Sequence, residues 1–244
     1  LRPIRRTILA AMAAERVPTV SAYQDRVLHD AACMQRFLGI VGVSVTSMFR
    51  EGELMRVLRE DVVPIFRTYP SVRIWMVGCA TGEEVYSLAI ALEEENVLRR
   101  ASIYATDLNE DTLAVAKIGA YPLERIRSYE SQYVKSGGRA RLADYYTASG
   151  RSARFSRSLQ SNVTWARHNL VTDASFNDFH LIICANVLIY FRPSLQERAH
   201  RLFYDSLVRS GFLALGKSES LIFAPDSSRY ERMRGDVSLY RKVR

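Results

Sequence analysis

The residues with the clearest chemical meaning lie between Val72 and Ile90, which read VRIWMVGCATGEEVYSLAI. An apolar run leads into Gly78, Ala80 and Gly82, and a helical pattern begins directly after them. Small residues let the main chain approach a ligand closely, and the first turn of the helix supplies unpaired N–H groups. The pattern therefore predicts a strand, loop and helix that bind a nucleoside-bearing cofactor.

Asp107 ends a second apolar run, SIYATD, and stands where the acid of such a site is expected. A carboxylate at the end of the second strand can accept hydrogen bonds from the ribose hydroxyls. The glycine loop and this acid together predict a nucleoside cofactor without choosing which one.

Two acids at the end of the glycine loop, Glu83 and Glu84, distinguish between cofactors. A dinucleotide site has glycine at the sixth position of this motif and directs the helix N-terminus at a pyrophosphate. Here that position is Glu83, and paired carboxylates repel a phosphate. They suit S-adenosylmethionine (SAM), which has no phosphate and carries a positively charged sulfonium. The alternative is that both acids only complement the positive end of the helix dipole.

Further segments follow one another in a fixed order: VSVTSMFRE at 43–51, ATDLNEDTLAVAKIGAYP at 105–122, HNL at 168–170, CANVLIYF at 184–191 and LALGKSESL at 213–221. In this order and at these separations they resemble the CheR-type chemotaxis-receptor methyltransferases, over about residues 20–243. The resemblance implies methyl transfer from SAM to glutamate side chains of chemoreceptors, with S-adenosylhomocysteine (SAH) as the product.

The resemblance also implies which residues bind the cofactor. They are Ser44, Thr46 and Arg50, then Gly78 and Glu84 at the glycine loop, Asp107 on the ribose, Asn169 and Leu170 beside the adenine or its ribose, and Asn186 and Val187 beneath the methionine moiety. Glu84 would hold the amino group of that moiety. Ser44 stands where the family usually has Asn.

Arg50 and Tyr190 are the predicted catalytic residues. A glutamate carboxylate is ionised at neutral pH and is already the nucleophile, so the reaction needs alignment and no general base. Arg50 suits this task because its planar guanidinium can bind both carboxylate oxygens. The resemblance places Tyr190 beside the transferring methyl group. From the residues alone, an ion pair of Arg50 with Glu51 or Glu53 and a core position for Tyr190 remain open.

Three positions depart from the family pattern. Met48 replaces a usual Phe, Ala185 replaces the usual Arg before Asn186, and Lys217 replaces the usual His of the G-H-S-E block. We expect the first two to touch the pocket wall. They keep open an alternative function, a sensor that binds the cofactor without turnover.

Strand and helix patterns alternate from Val72 onwards, which predicts an α/β fold with a doubly wound, mostly parallel, seven-stranded methyltransferase sheet. Pro193 is predicted to open a helix that reaches Val208, and the fifth strand to run from Gly211 to Leu215. Residues 220–243 are predicted to add an antiparallel pair at the sheet edge.

The chain is predicted to contain two domains. Residues 1–50 would be a partial N-terminal helical domain and linker, because the family's helical domain is longer, and residues 51–244 the SAM-dependent methyltransferase domain. A Tyr-, Arg- and Gly-rich stretch at about 122–162 interrupts the alternation. We interpret it as a small inserted β-subdomain with a short hairpin, anchored by its aromatic residues.

Charge raises one competing function. The formal net charge is +8, and residues 124–160 contain eight basic and three acidic side chains, so a nucleic-acid methyltransferase is a further alternative. Against it, residues 186–190 read Asn-Val-Leu-Ile-Tyr and not the Asn-Pro-Pro-Tyr type of base-amino methyltransferases. The resemblance implies that the partner is the cytoplasmic helical bundle of a chemoreceptor, and no nucleic-acid partner is expected. Some members of the family bind a short peptide at the receptor tail through this insert, which then contains a glycine doublet. Gly137 and Gly138 come too early in the insert to be that doublet, so such a tether is not favoured.

Composition predicts a cytoplasmic protein without a metal. The histidines have no metal-site spacing; they are His29, His168, His180 and His200. The three cysteines, an odd number, suit a reducing compartment. No apolar run approaches the roughly 18 residues of a membrane span, so no direct membrane insertion is expected. The chain begins at Leu1 without Met, and upstream sequence is expected.

Overall fold

The computed structural model describes residues 2–41 and 46–243. By compactness the chain forms two units, Leu1–Val45 and Thr46–Arg244. The division after residue 50 into a helical domain with linker and a methyltransferase domain stays a prediction.

The first unit is helical, as the sequence predicted. It contains α1 (Arg2–Ala14), α2 (Val20–His29) and α3 (Ala31–Val41). The Thr19 side chain caps α2 by accepting a hydrogen bond from the Ala22 N–H. These helices share a small core, formed by Ala11, Met12, Tyr23, Val27 and Cys33.

The second unit contains the sheets. Its helices are α4 (Gly52–Val57), α5 (Val63–Phe66), α6 (Glu83–Glu94), α7 (Glu110–Ile118), α8 (Leu123–Arg127), α9 (Glu130–Lys135) and α10 (Pro193–Ser206), with a π-helical turn, Leu58–Val62, between α4 and α5. Its strands are β1 (Val72–Val77), β2 (Ala101–Asp107), β3 (Ala120–Pro122), β4 (Tyr146–Ser149), β5 (Ser152–Phe155), β6 (Val163–Arg167), β7 (Phe179–Cys184), β8 (Leu207–Leu215), β9 (Tyr230–Arg232) and β10 (Leu239–Lys242).

The main sheet has seven strands in the order β6-β2-β1-β7-β8-β10-β9. The first five of these are parallel, and β10 runs antiparallel to both β8 and β9. The parallel strands have the Rossmann order, with two strands added beyond the fifth. The predicted α/β, mostly parallel seven-stranded sheet with a final antiparallel pair is confirmed.

The central strand β1 is apolar on both sides because helices cover both faces of the sheet. Ile74 and Met76 belong to one buried cluster, to which α6 contributes. Trp75 and Val77 belong to a second cluster on the opposite face, to which α10 contributes. Alternate residues of one strand thus join two cores and fix its register.

The strand β8 begins earlier than predicted. The helix α10 ends at Ser206, and β8 starts directly at Leu207, not at Gly211. Its pairing with β7 shifts register between Phe179 and Leu181, and Ser210 has a φ of 63°. A β-bulge of this kind interrupts the apolar alternation, so the first part of the strand has no strand-like sequence pattern.

The predicted insert is present, with the predicted hairpin between β4 and β5. The strand β3 adds a third strand to this antiparallel sheet, and α8 and α9 lie between β3 and β4. Aromatic residues anchor the insert as expected. Tyr133 packs against Phe49, with ring centroids 5.3 Å apart, and the hydroxyls of Tyr133 and Tyr145 donate to Glu94.

Candidate active site

The predicted site residues gather at the carboxyl edge of the parallel strands. The strand order reverses between β1 and β7, and ligands of open α/β sheets bind in the crevice at such a switch point. Val77 pairs with Thr106 on one side and with Cys184 on the other. Gly78 follows β1, Asp107 ends β2 and Asn186 follows β7, so the three residues lie at the same edge of the sheet.

The glycine loop requires its glycines for conformation and for packing. Gly78 has a φ of +63°, and a Cβ there would stand 2.4 Å from a methyl group of Val187. Gly82 has a φ of +90°, and a Cβ there would stand 2.8 Å from the Cβ of Ala116. A side chain at Gly78 would clash with the turn after β7, and one at Gly82 would clash with α7, so either would displace the loop. The bare backbone is thus available to approach a ligand.

Asp107 shapes this loop as well as ending β2. Its Oδ2 accepts a hydrogen bond from the Ala80 N–H (2.8 Å), and its Oδ1 accepts one from the Asn109 N–H (2.9 Å). An ionised carboxylate has about four acceptor directions, so two remain for ribose hydroxyls. The half-buried Asp107 can therefore join the loop to a ribose.

The two acids after the loop have different environments. Glu83 is fully buried, its Oε2 accepts from the Thr81 hydroxyl (2.6 Å), and its Oε1 lies 3.0 Å from Nη2 of Arg125. Burial raises the pKa of Glu83, while Thr81 and Arg125 oppose the rise. Arg125 also donates to the carbonyl of Thr46. Glu83 is therefore committed to the protein interior, and Glu84 is the acid left for a ligand.

Replacing Arg125 with methionine should destabilise the protein by about 2 kcal/mol, because the buried Glu83 carboxylate loses its cation. Burial raises the pKa of Glu83 and Arg125 opposes the rise, so the folded-state pKa should be higher in the variant than in the parent. An acid whose folded-state pKa is raised lowers stability as pH rises. The deficit should therefore be larger at pH 8 than at pH 5. Urea unfolding at both pH values measures it, with Arg127→Met, another exposed arginine of α8, as the control. An equal deficit in both variants would contradict this role for Arg125.

Glu84 faces a cavity with an empty volume of about 310 Å3, part of it open to solvent. Its lining is Phe49, Glu51, Leu54, Met55, Leu58, Met76, Glu84, Ile183 and Ala185. Burial raises the pKa of Glu84 to about 7, and the charge of Glu51 adds to the rise. The Glu51 N–H and the charge of Arg50 oppose it. Two acids in one mostly apolar cavity favour a cationic ligand.

The turn after β7 connects to the same acids. Asn186 has a φ of 61°, and its Nδ2 donates to Oε1 of Glu51 (3.0 Å). The N–H groups of Asn186 and Val187 donate to the carboxylate of Glu219, at 2.9 and 2.8 Å. The sequence patterns assign no role to Glu219, which lies within the LALGKSESL segment. The available signal was an acid just beyond the end of an apolar strand.

Asn169 and Leu170 follow β6. The Asn169 Oδ1 accepts from the Val171 N–H (2.9 Å), and the Asn169 N–H donates to Asp173 (2.8 Å). Leu170 is buried in the same cluster as Val77. A role of Leu170 beside the adenine must therefore use its main chain, and these two assignments stay predictions.

Arg50 and Tyr190 are both exposed. Tyr190 ends a 3₁₀ turn, Leu188–Tyr190, and is 59% exposed, so its interpretation as a core aromatic is wrong. Arg50 lies close enough to Glu84 for its charge to act on that pKa. An exposed arginine thus stands beside an acid-lined cavity.

The remaining predicted positions divide between wall and core. Thr46 is buried, and Ser44 lies outside the described residues. Ala185 lines the cavity, whereas Met48 is fully buried in the core and Phe49 lines the cavity in its place. Lys217 is exposed.

Within residues 2–41 and 46–243, no cluster of three His, Cys, Asp or Glu side chains could hold a metal ion. None of the helices in the same ranges has the length and apolar character that crossing a membrane requires.

The sheet order, the glycine loop, the acid that ends β2 and the acid-lined cavity define a Rossmann-like protein with a site suited to SAM. Residues 44–236 match the family described as CheR methyltransferase, SAM binding domain. The chain belongs to the CheR methyltransferase family. The resemblance read from the sequence is thereby confirmed.

Three relatives match this chain over most of their own length. The methyltransferase Cher3 of Pseudomonas putida is 46% identical over 239 residues, covering 98% of this chain and 88% of that protein. A chemotaxis protein methyltransferase of Listeria innocua is 30% identical, covering 91% of this chain and 83% of that protein. Chemotaxis protein methyltransferase 1 of Pseudomonas aeruginosa is 31% identical, covering 74% of this chain and 68% of that protein.

Proposed function

We propose that this cytoplasmic enzyme transfers the methyl group of SAM to glutamate side chains on the cytoplasmic helical bundle of a chemoreceptor. Two relatives bear the name chemotaxis protein methyltransferase, which supports the substrate class. The observation that carries the proposal is the charge arrangement at the cavity. Glu84 and Glu51 line it, and the exposed Arg50 stands beside them. Acids inside suit a cation, and an arginine outside suits a carboxylate.

The residues of the carboxyl edge fit the cofactor. Asp107 retains acceptor directions for the ribose hydroxyls, and Gly78 keeps its loop free of a side chain that Val187 would exclude. Glu84 would hold the amino group of the methionine moiety. Asn169 and Leu170 would lie at the adenosine, and Thr46, Asn186 and Val187 would complete the binding surface.

The protein's task in the reaction is alignment. When bound, SAM supplies an electrophilic methyl group on a positively charged sulfur. The incoming glutamate is already ionised, so no residue needs to remove a proton. Arg50 would bind both carboxylate oxygens and aim one of them at the methyl carbon. Tyr190 would help to orient the same carboxylate through its exposed hydroxyl. Too strong a grip by Arg50 would stabilise the ground state, because the carboxylate loses its charge during the reaction.

The test uses SAM labelled in its methyl group. The protein is incubated with a purified receptor cytoplasmic fragment, the same fragment with its acceptor glutamates changed to alanine, and DNA or RNA. The products are then treated with mild alkali. We expect labelled methanol from the first fragment alone, because methyl esters hydrolyse and N-methylated bases do not. Label on nucleic acid, or binding of SAM with no transfer to any substrate, would overturn the proposal.

Cofactor binding should release a proton from Glu84. The carboxyl group has a pKa of about 7 without a ligand, and a nearby cation lowers such a pKa. Below pH 7 a proton must leave before Glu84 can pair with the cation, so affinity should rise with pH. We expect SAM affinity to increase about tenfold more between pH 6 and 8 in the parent than in Glu84→Gln. Calorimetry in two buffers of different ionisation enthalpy measures the released proton. If SAM affinity depends on pH identically in the parent and in Glu84→Gln, Glu84 does not pair with the cofactor's cation.

A further inference from the structure

The buried carboxylate of Glu219 accepts hydrogen bonds from backbone N–H groups of two separate segments. Glu219 is 6% exposed. Its Oε1 accepts from Val187 (2.8 Å), Leu188 (2.7 Å) and Ile189 (3.4 Å), and its Oε2 accepts from Asn186 (2.9 Å) and Gly216 (2.8 Å). A carboxylate can accept all of these only when it carries no proton, because a protonated oxygen becomes a donor.

These bonds determine the shape of the segment that follows β7, residues 185–190, which we name the β7 turn. Asn186 adopts a positive φ of 61°, which costs free energy for a residue other than glycine. The next residues enter the 3₁₀ turn Leu188–Tyr190, whose first N–H groups have no partner within the turn itself. Glu219 satisfies these donors and stabilises the strained residue before them.

The surroundings of Glu219 leave room for this contact. A Cβ at Gly216 would stand 2.8 Å from the Glu219 Oε2 and 2.9 Å from the Asn186 nitrogen. The Glu219 main chain is fixed from the other side, because its carbonyl accepts from the Ser238 hydroxyl (2.9 Å). A hydrogen bond thus holds the Glu219 backbone, and the absence of a side chain at Gly216 leaves space for the Glu219 carboxylate.

We infer that Glu219 is a positioning residue for methyl transfer, acting through the β7 turn. The turn carries Asn186, whose side chain contacts Glu51 of the cavity, and Tyr190, whose ring is exposed at its end. All five N–H donors lie beyond the last paired residues of β7 and β8, Cys184 and Leu215, so these strand pairs do not depend on the carboxylate. Its loss should change where Asn186 and Tyr190 lie more than whether the protein folds. This inference rests on the proposed function and deepens it.

The test compares the parent, Glu219→Gln and Glu231→Gln, an exposed glutamate of β9 that serves as the control. In Glu219→Gln, an NH2 group replaces one acceptor oxygen and faces N–H donors. We expect kcat on the receptor fragment, at saturating SAM, to fall about tenfold. SAH affinity should change less than about threefold. Hydrogen exchange, measured well below the melting temperature, should accelerate in residues 185–190 and not in β1 or α6.

The outcomes separate the inference from the proposed function. If the parent transfers no label to the receptor fragment, the proposed function fails, and the exchange data still decide whether Glu219 holds the turn. If the parent is active and Glu219→Gln has parental kcat and parental exchange, the inference is wrong. It is also wrong if kcat falls only in proportion to the folded fraction. If Glu219→Gln does not fold, Gly216→Ala decides, because its Cβ crowds the same oxygen while the charge remains. Parental kcat in a folded Gly216→Ala would then overturn the inference.

Discussion

Replacing Arg50 with alanine is expected to lower kcat for receptor methylation by about a hundredfold at saturating SAM. The acceptor carboxylate must meet the methyl carbon in line with sulfur, and a misplacement near 1 Å costs about this factor. Arg50 is exposed, and its charge lowers the pKa of Glu84, which lines the cavity. It therefore lies where it can contact an acceptor glutamate at the cavity that would hold SAM. Its loss should leave the melting temperature nearly unchanged, because exposed charges contribute little to stability.

Arg50→Lys separates geometry from charge. Lysine keeps the positive charge but lacks the planar fork that binds both carboxylate oxygens. We expect it to lose nearly as much kcat as Arg50→Ala. The control is Arg209→Ala, an exposed arginine near the amino end of β8, where it stands away from the carboxyl edge. A folded Arg50→Ala that methylates at the parental rate would disprove the orienting role and favour a different carboxylate ligand.

Replacing Asp107 with alanine is expected to weaken SAM and SAH binding by about a hundredfold. Two hydrogen bonds from ribose hydroxyls to a charged acceptor are worth roughly 1.5–3 kcal/mol each, and about 1.4 kcal/mol corresponds to a tenfold change. The variant also loses the bond that holds the Ala80 N–H of the glycine loop (2.8 Å). Both effects weaken binding of the same ligand, so the loss of affinity should exceed that from either effect alone.

Calorimetry with SAH measures this effect without turnover. Asp111→Ala is the control, since Asp111 is an exposed acid at the start of α7 in the same segment. Asp107→Asn should lie between parent and alanine, because it keeps one acceptor oxygen for either the loop or the ribose. Unchanged SAH affinity in Asp107→Ala would show that Asp107 does not bind the ribose hydroxyls.

Much of the fold could be predicted because its signals are local. The apolar run before Gly78 and the one before Asp107 are strands whose patterns depend only on neighbouring residues, and parallel strands of one sheet share a carboxyl edge. The glycines were identifiable for the same reason, since a left-handed backbone selects them by sterics. The family resemblance then supplied residue roles that spacing alone does not contain.

The two acids of the loop show where local reasoning ends. Successive residues of a helix point about 100° apart, so Glu83 and Glu84 could not both face one ligand. Which of them turns inward depends on Arg125, which the insert brings within 3.0 Å of Glu83. Glu83 is therefore paired inside the protein, and a role in binding the cofactor's cation stays a prediction for Glu84 alone.

By itself, the sequence determined the sheet, the glycine loop and the acid that ends β2, because each depends on chain periodicity or backbone sterics. Only the tertiary structure decided the partners of Glu83, the burial of Met48 and the role of Glu219. The Glu219 carboxylate meets the β7 turn about 30 residues earlier in the chain, because β7 and β8 are neighbours in the sheet. Contacts between distant segments are set by how strands and helices pack, and no local pattern encodes which donor a buried carboxylate will find.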